Sequence, residues 1–205
     1  MIEKFGKSQK GYVDLNSVFY DLSQNQEFLK KLKFYNKVYK KQPKRTNCKL
    51  CLRKLQIKDI AFERNKIRYF ICDNCGQLNG QFQDTLEYNK LIYEKDGGLA
   101  SIYSKFSKKK FDEKVTNIYL PKVNFLVDVL KQQNINFKDL KCCDFGTGSG
   151  FMIKALIDRG FNKVFGLEVS DEQVKYGNMM IGKKLITKNK SEEIEHLAEK
   201  INAQI

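Results

Sequence analysis

Two groups of residues in this 205-residue chain have types and spacings that suit chemistry. The first is Cys48-x2-Cys51 and Cys72-x2-Cys75, with 20 residues between the pairs. Each C-x2-C pair turns two sulfurs to one side of a tight turn, and two such knuckles complete a tetrahedron, the pattern of a tetrathiolate zinc site. Four protein ligands leave no open position for water, so the expected Zn2+ is structural and not catalytic. The competing reading is four reduced thiols in a small core. The second group lies in CCDFGTGSG, residues 142–150, where Asp144 stands two positions before Gly146-x-Gly148-x-Gly150. Glycines so spaced let the backbone approach a ligand closely, and an acid, Glu168, follows 22 positions after Gly146.

These residues need elements to hold them. Residues 139–145 form a short apolar run that reads as a buried strand, and FMIKALIDR (151–159) reads as a largely buried helix stopped by Gly160. KVFGLEVS (163–170) is the next strand and carries Glu168 near its end, with Ser170 or Asp171 capping the helix after it. Strand, glycine turn, helix, strand, acid is the nucleotide-binding βαβ order of an α/β parallel sheet. Cys142 and Cys143 have no second pair nearby and read as small hydrophobes of the strand.

A dinucleotide fingerprint needs glycine or alanine at position 151, which is Phe. The form D-x-G-x-G-x-G instead resembles motif I of class I S-adenosylmethionine (SAM)-dependent methyltransferases. That resemblance implies a cofactor loop running from Asp144 through Gly146, Thr147, Gly148 and Gly150, with Glu168 on the ribose hydroxyls and Val169 beside the adenine. A nicotinamide or flavin site, or a glycine turn with no ligand, are the readings that remain beside it.

Before the sheet, residues 1–47 form an N-terminal helical segment, with a helix at 26–40 closed by Pro43. Residues 48–80 form a zinc-ribbon-like module whose strands, 57–62 and 66–71, meet at a turn at Arg64-Asn65. Residues 81–135 form a mostly helical connector, in which Gly97-Gly98 marks a turn and Pro121 kinks a helix or starts a new one. Residues 136–205 form a partial Rossmann-like domain. This order resembles bacterial methyltransferases that carry a zinc-binding N-terminal region and act on nucleotide-linked sugars or surface-polysaccharide precursors. Against that family, only two strands are evident, followed by a helix from Ser191 and a last strand opening at AQI. The expectation is a C-terminally truncated chain that lacks the acceptor half and is inactive or weakly active. No acid–base group is assigned: His196 reads as a helix-surface residue, and Tyr88, Tyr93 and Tyr103 read chiefly as packing residues.

Composition bounds the partners. The hydrophobic share is 41% and no apolar run approaches the roughly 20 residues of a membrane span. MIEKFGKSQKGYVDL has no signal-peptide core, so the expected compartment is the cytoplasm, where six cysteines stay reduced. The formal charge of +14 is concentrated in residues 1–110, with 24 Lys and Arg against 11 Asp and Glu. Such an excess suits a phosphate-bearing partner. A small nucleotide-sugar-like acceptor is expected first. An RNA methyltransferase, with Phe62, Tyr69, Phe70 and Phe82 stacking on bases, and a non-enzymatic zinc-ribbon adaptor are the alternatives. Only 5 of the 38 basic residues are Arg, which weighs against RNA.

Overall fold

The computed structural model describes residues 22–56, 60–94 and 106–189. The chain divides into two compact units, one being Leu22–Ile92 and the other holding the described residues from Tyr93 onward. Expectations for Gly97, Gly98, Tyr103, the helix from Ser191, His196 and the AQI strand lie outside the described residues. Among those described, no helix is long and apolar enough to cross a membrane.

The first unit opens with α1 (Leu22–Tyr39), which starts four residues before the expected 26 and ends ahead of Pro43. Three antiparallel strands follow: β1 (Ile60–Arg64), β2 (Ile67–Ile71) and β3 (Leu78–Gly80), in the order β1-β2-β3. The hairpin turn is Asn65-Lys66, one residue later than expected, with φ of 55° and 59°. Positive φ at both central residues matches the twist of the flanking strands, which is why two-residue hairpins use it. Tyr39 closes the helix onto this sheet. Its hydroxyl donates to Phe82 O at 2.6 Å, its ring meets those of Phe82 and Tyr88, and Gly80 supplies the close approach. A short helix, α2 (Leu86–Asn89), capped by Thr85, leads into a wide turn at Lys90–Glu94.

In the second unit, α3 (Lys108–Lys114) starts at the Ser107 cap, and Lys108 bridges to Asp112 at the surface. A π-type turn, Val115–Tyr119, joins it to α4 (Leu120–Gln132), which carries Pro121 in its first turn. Proline has no N–H to give, so a helix accepts it at a fresh start. A single 3-10 turn (Phe137–Asp139) then feeds β4 (Lys141–Phe145), α5 (Phe151–Asp158), β5 (Lys163–Glu168), α6 (Asp171–Ile181) and β6 (Ile186–Lys188). The three strands are parallel in the order β4-β5-β6, so the fold is α/β as expected. β6 was not anticipated: three residues offer no period to read.

The helices at 108–132 share one core with the sheet. Phe111, Val123 and Val127 are buried together with Ile153 and Ala155 of α5, and Phe111 and Tyr119 stack on Phe151 at 4.8 and 5.3 Å. Gly160, at φ 96°, ends α5 as expected, and Ser170 caps α6 by accepting the Gln173 N–H. Cys142 is buried and Cys143 half-buried in β4. Burial raises both thiols, Cys143 to about 11 with help from the Asp144 carboxylate and against Lys141, so they stay protonated.

Candidate metal centre and cofactor loop

The four cysteines expected to hold metal converge in the first unit, with all four Sγ atoms within 4.8 Å of one another. Cys48 and Cys75 approach to 3.6 Å, as do Cys51 and Cys72. Thiolates about 2.3 Å from a tetrahedral zinc lie about 3.8 Å apart, whereas a disulfide needs about 2.05 Å, so the spacing fits a metal. The two knuckles repeat one geometry. Leu52 N–H donates to Cys48 O and Gly76 N–H to Cys72 O, and both residues sit at positive φ, 60° and 70°.

The surrounding donors face the sulfurs. Burial resists ionisation of Cys48, but the N–H groups of Cys51 and Leu50 and the Asn79 amide bring its thiol down to about 6. The Arg53 N–H, against burial and with help from the Asn74 side chain, lowers Cys51. At Cys75 the Gln77 N–H pulls downward, yet burial and the other three sulfurs push it up to about 12. Four thiolates this close repel one another, and a divalent cation bound among them would offset that repulsion. The buried cluster at the knuckles joins Leu55 to Cys48 and Cys72, so a metal held there would tie the two knuckles together.

The glycine turn sits at the carboxyl ends of β4 and β5. Gly146 and Thr147 N–H groups both donate to Leu167 O, at 2.9 and 3.1 Å, which draws the loop over the end of β5. All three glycines have positive φ, 67°, 55° and 77°. Their surroundings differ. A Cβ on Gly146 would meet nothing within 4 Å, and one on Gly148 only Gln173 Oε1 at 4.0 Å. On Gly150 it would lie 2.6 Å from Ile186 Cδ1 and 2.8 Å from Ile181 Cδ1. The first two thus leave an open cradle above a left-handed backbone, and the third is a packing glycine.

Glu168 reaches back across this loop. Its Oε2 accepts from Gly148 N at 2.7 Å, while Oε1 accepts from Val169 N and Ser170 N at 2.8 and 2.9 Å. Asp144 and Glu168 are close enough to feel one another. Burial first, and the Glu168 carboxylate in addition, raise the Asp144 carboxyl against the opposing effect of the Thr147 hydroxyl. The Thr147 side chain lies on Gly166, where a Cβ would come within 2.7 Å of its Cγ2, and its Oγ1 is buried outside hydrogen-bond geometry. Val169 is half-buried beside Glu168. The expected loop residues are therefore brought together, with Thr147 turned to the sheet.

Two supporting residues escaped the sequence reading. Asn79, fully buried, accepts from Lys49 N at 2.9 Å and donates to Gln77 O and to Cys48 Sγ, so it orients the first knuckle. Gln173, 1% exposed, accepts from the Ser149 hydroxyl beneath the glycine turn. Its signal was present as Ser170-x-x-Gln173, a capping-box pattern. Here Ser170 N–H goes to Glu168, and the Gln173 side chain is used by the loop.

An open backbone cradle beside two carboxylates fits a ligand that is cationic and bears hydroxyls. It fits a diphosphate poorly, because a carboxylate already occupies the Gly148 N–H. No family model and no curated protein matches the chain. Among solved structures, a SAM-dependent methyltransferase from Anabaena variabilis ATCC 29413 is similar over 55% of this chain and 49% of that one, with 18% identity and a TM-score of 0.30. The chain spans about half the length of that structure.

Proposed function

We propose that the loop between β4 and α5 binds S-adenosylmethionine and that the protein is a methyltransferase of that class, with zinc as a structural ion in the first unit. The observation that carries this is the Glu168 carboxylate on the Gly148 N–H beneath an open Gly146–Gly148 cradle. SAM supplies an electrophilic methyl on a cationic sulfonium. The chain's own part is to bind and orient. Gly146 and Gly148 admit the cofactor against the backbone, Asp144 faces its amino group, the remaining lone pairs of Glu168 accept ribose hydroxyls, and Val169 flanks the adenine. Gly150 and Thr147 act by packing, on β6 and β5 respectively. A nucleotide-linked sugar or a polysaccharide precursor is the acceptor class that goes with this reading.

Calorimetric titration of the full chain with S-adenosylhomocysteine and with NAD tests it. One site for S-adenosylhomocysteine and none for NAD is expected. NAD binding would replace the reading with a dinucleotide one, and absence of both ligands would leave an adaptor. Tight, salt-dependent binding of RNA together with S-adenosylhomocysteine would move the acceptor to RNA.

A further inference from the structure

In the first unit a groove of about 540 Å³ lies between α1 and the β1–β2 turn. Five cations line it: Lys33, Lys37 and Lys40 from the helix, and Arg64 and Lys66 from the hairpin. No carboxylate does. The lysines recur at i, i+4 and i+7, one face of the helix, over about 10 Å of its length. All five are exposed, and none forms an ion pair among the described residues. The one acid of β1 and β2, Glu63, faces Arg68 at 3.8 Å and not the groove.

This arrangement runs against local stability in two places. Lys33 and Lys37 are a like-charged pair at i, i+4, which weakens a helix. Lys66 holds φ 59° at a turn position where glycine is the usual residue. Both departures bring positive charge to the same groove. Backbone strain of this kind clusters at ligand-binding sites.

We infer that this groove binds an oligophosphate group, the diphosphate or triphosphate of a small molecule. Its size is that of a small-ligand site, and five cations match two to four negative charges in a short chain. Leu29 and Leu32 offer an aliphatic wall to the rest of the ligand. A single nucleic-acid strand fits less well, since such sites stack bases on aromatic rings and no ring lines this groove. Phe62, exposed, and Tyr69, half-buried, stack on each other at 4.7 Å. The two candidate sites are thus opposite in character: the Glu168 carboxylate closes the glycine turn to phosphate, and this groove invites it. The inference stands independently of the methyltransferase reading.

The test is calorimetric titration of the zinc-loaded full chain with inorganic pyrophosphate and with tripolyphosphate, with zinc content measured before and after. One site per chain is expected, weakening as salt rises. The double variant Lys37→Glu with Arg64→Glu should bind about tenfold more weakly or worse. Lys66→Gly should weaken binding while raising the melting temperature, a pairing of signs that general damage to the fold cannot give. S-adenosylhomocysteine binding in the same samples reports separately on the second unit. Absence of pyrophosphate binding, affinity unchanged in the charge variants, or binding confined to a uridine oligomer or to anionic vesicles would each overturn the inference.

Discussion

The Glu168 carboxylate accepts the backbone N–H of Gly148 at 2.7 Å and so ties the end of β5 to the middle of the glycine turn. Two further N–H groups, of Val169 and Ser170, hold the other oxygen, so one side chain sets both the loop and the start of α6. Charge-assisted bonds of this kind contribute about 1.5–3 kcal/mol each. Glu168→Gln keeps an acceptor but loses the charge, and Glu168→Ala loses both. Affinity for S-adenosylhomocysteine should fall about tenfold in the first and about a hundredfold in the second. An alanine variant that binds as tightly as the parent would remove Glu168 from the site.

Asp144 offers a prediction with opposite signs for stability and binding. Its carboxyl is raised above the ordinary value, chiefly by burial. A carboxyl whose folded pKa exceeds its unfolded one favours folding below the unfolded pKa, and that contribution is lost as pH rises through the folded value. At neutral pH the ionised side chain therefore costs stability. Asp144→Asn should melt higher than the parent at pH 7, with the difference shrinking toward about pH 4. S-adenosylhomocysteine should bind the variant more weakly. Melting curves at the two pH values and one titration decide both halves.

The metal centre predicts one zinc per chain, measurable by elemental analysis. Stripping it with a strong chelator, or Cys72→Ser, should lower the melting temperature and expose the first unit to protease, because Cys48 and Cys72 are themselves buried with Leu55 at the knuckles. Asn79→Ala leaves all four thiols in place but removes the amide that faces Cys48. Zinc affinity should drop about 10–100-fold in competition with a chromophoric chelator.

The paired knuckles supply an internal control. Gly76 and Leu52 both occupy left-handed backbone, but only one of them is glycine. Gly76→Ala should cost about 1 kcal/mol, whereas Leu52→Gly should be neutral or gain up to about 1 kcal/mol, since Leu52 is 72% exposed and packs little. Denaturant melts of the zinc-loaded protein compare the two directly.

What could be read from the sequence is what acts over a few residues. The C-x2-C pairs, the Gly160 stop, the Ser170 cap and the glycine spacing each impose geometry within about four positions, and each stands where it was expected. The hairpin turn shifted by one residue because Asn65-Lys66 lacks the glycine that would have announced it. β6 was invisible for a different reason. Its place is set by a distant side chain, Asn178, which accepts from Leu185 N and Ile186 N at 2.9 Å and donates to Ile186 O. The division of labour among the three glycines is tertiary too, since the contacts of Ile181 and Ile186 with Gly150 separate the third from the others.

That same isoleucine couples the order of assembly to the site. Ile186 Cδ1 fills the space over both Gly150 and Gly177, 2.6 and 2.5 Å from where a Cβ would stand. The turn after β4 therefore has its final floor only once a strand some 36 residues downstream has docked alongside β5. Parallel pairing of that kind closes a long loop before any contact repays it, and so comes slowly. The Gly150 end of the turn thus takes its final packing only after the residues of β6 have been made, well after β4 and β5.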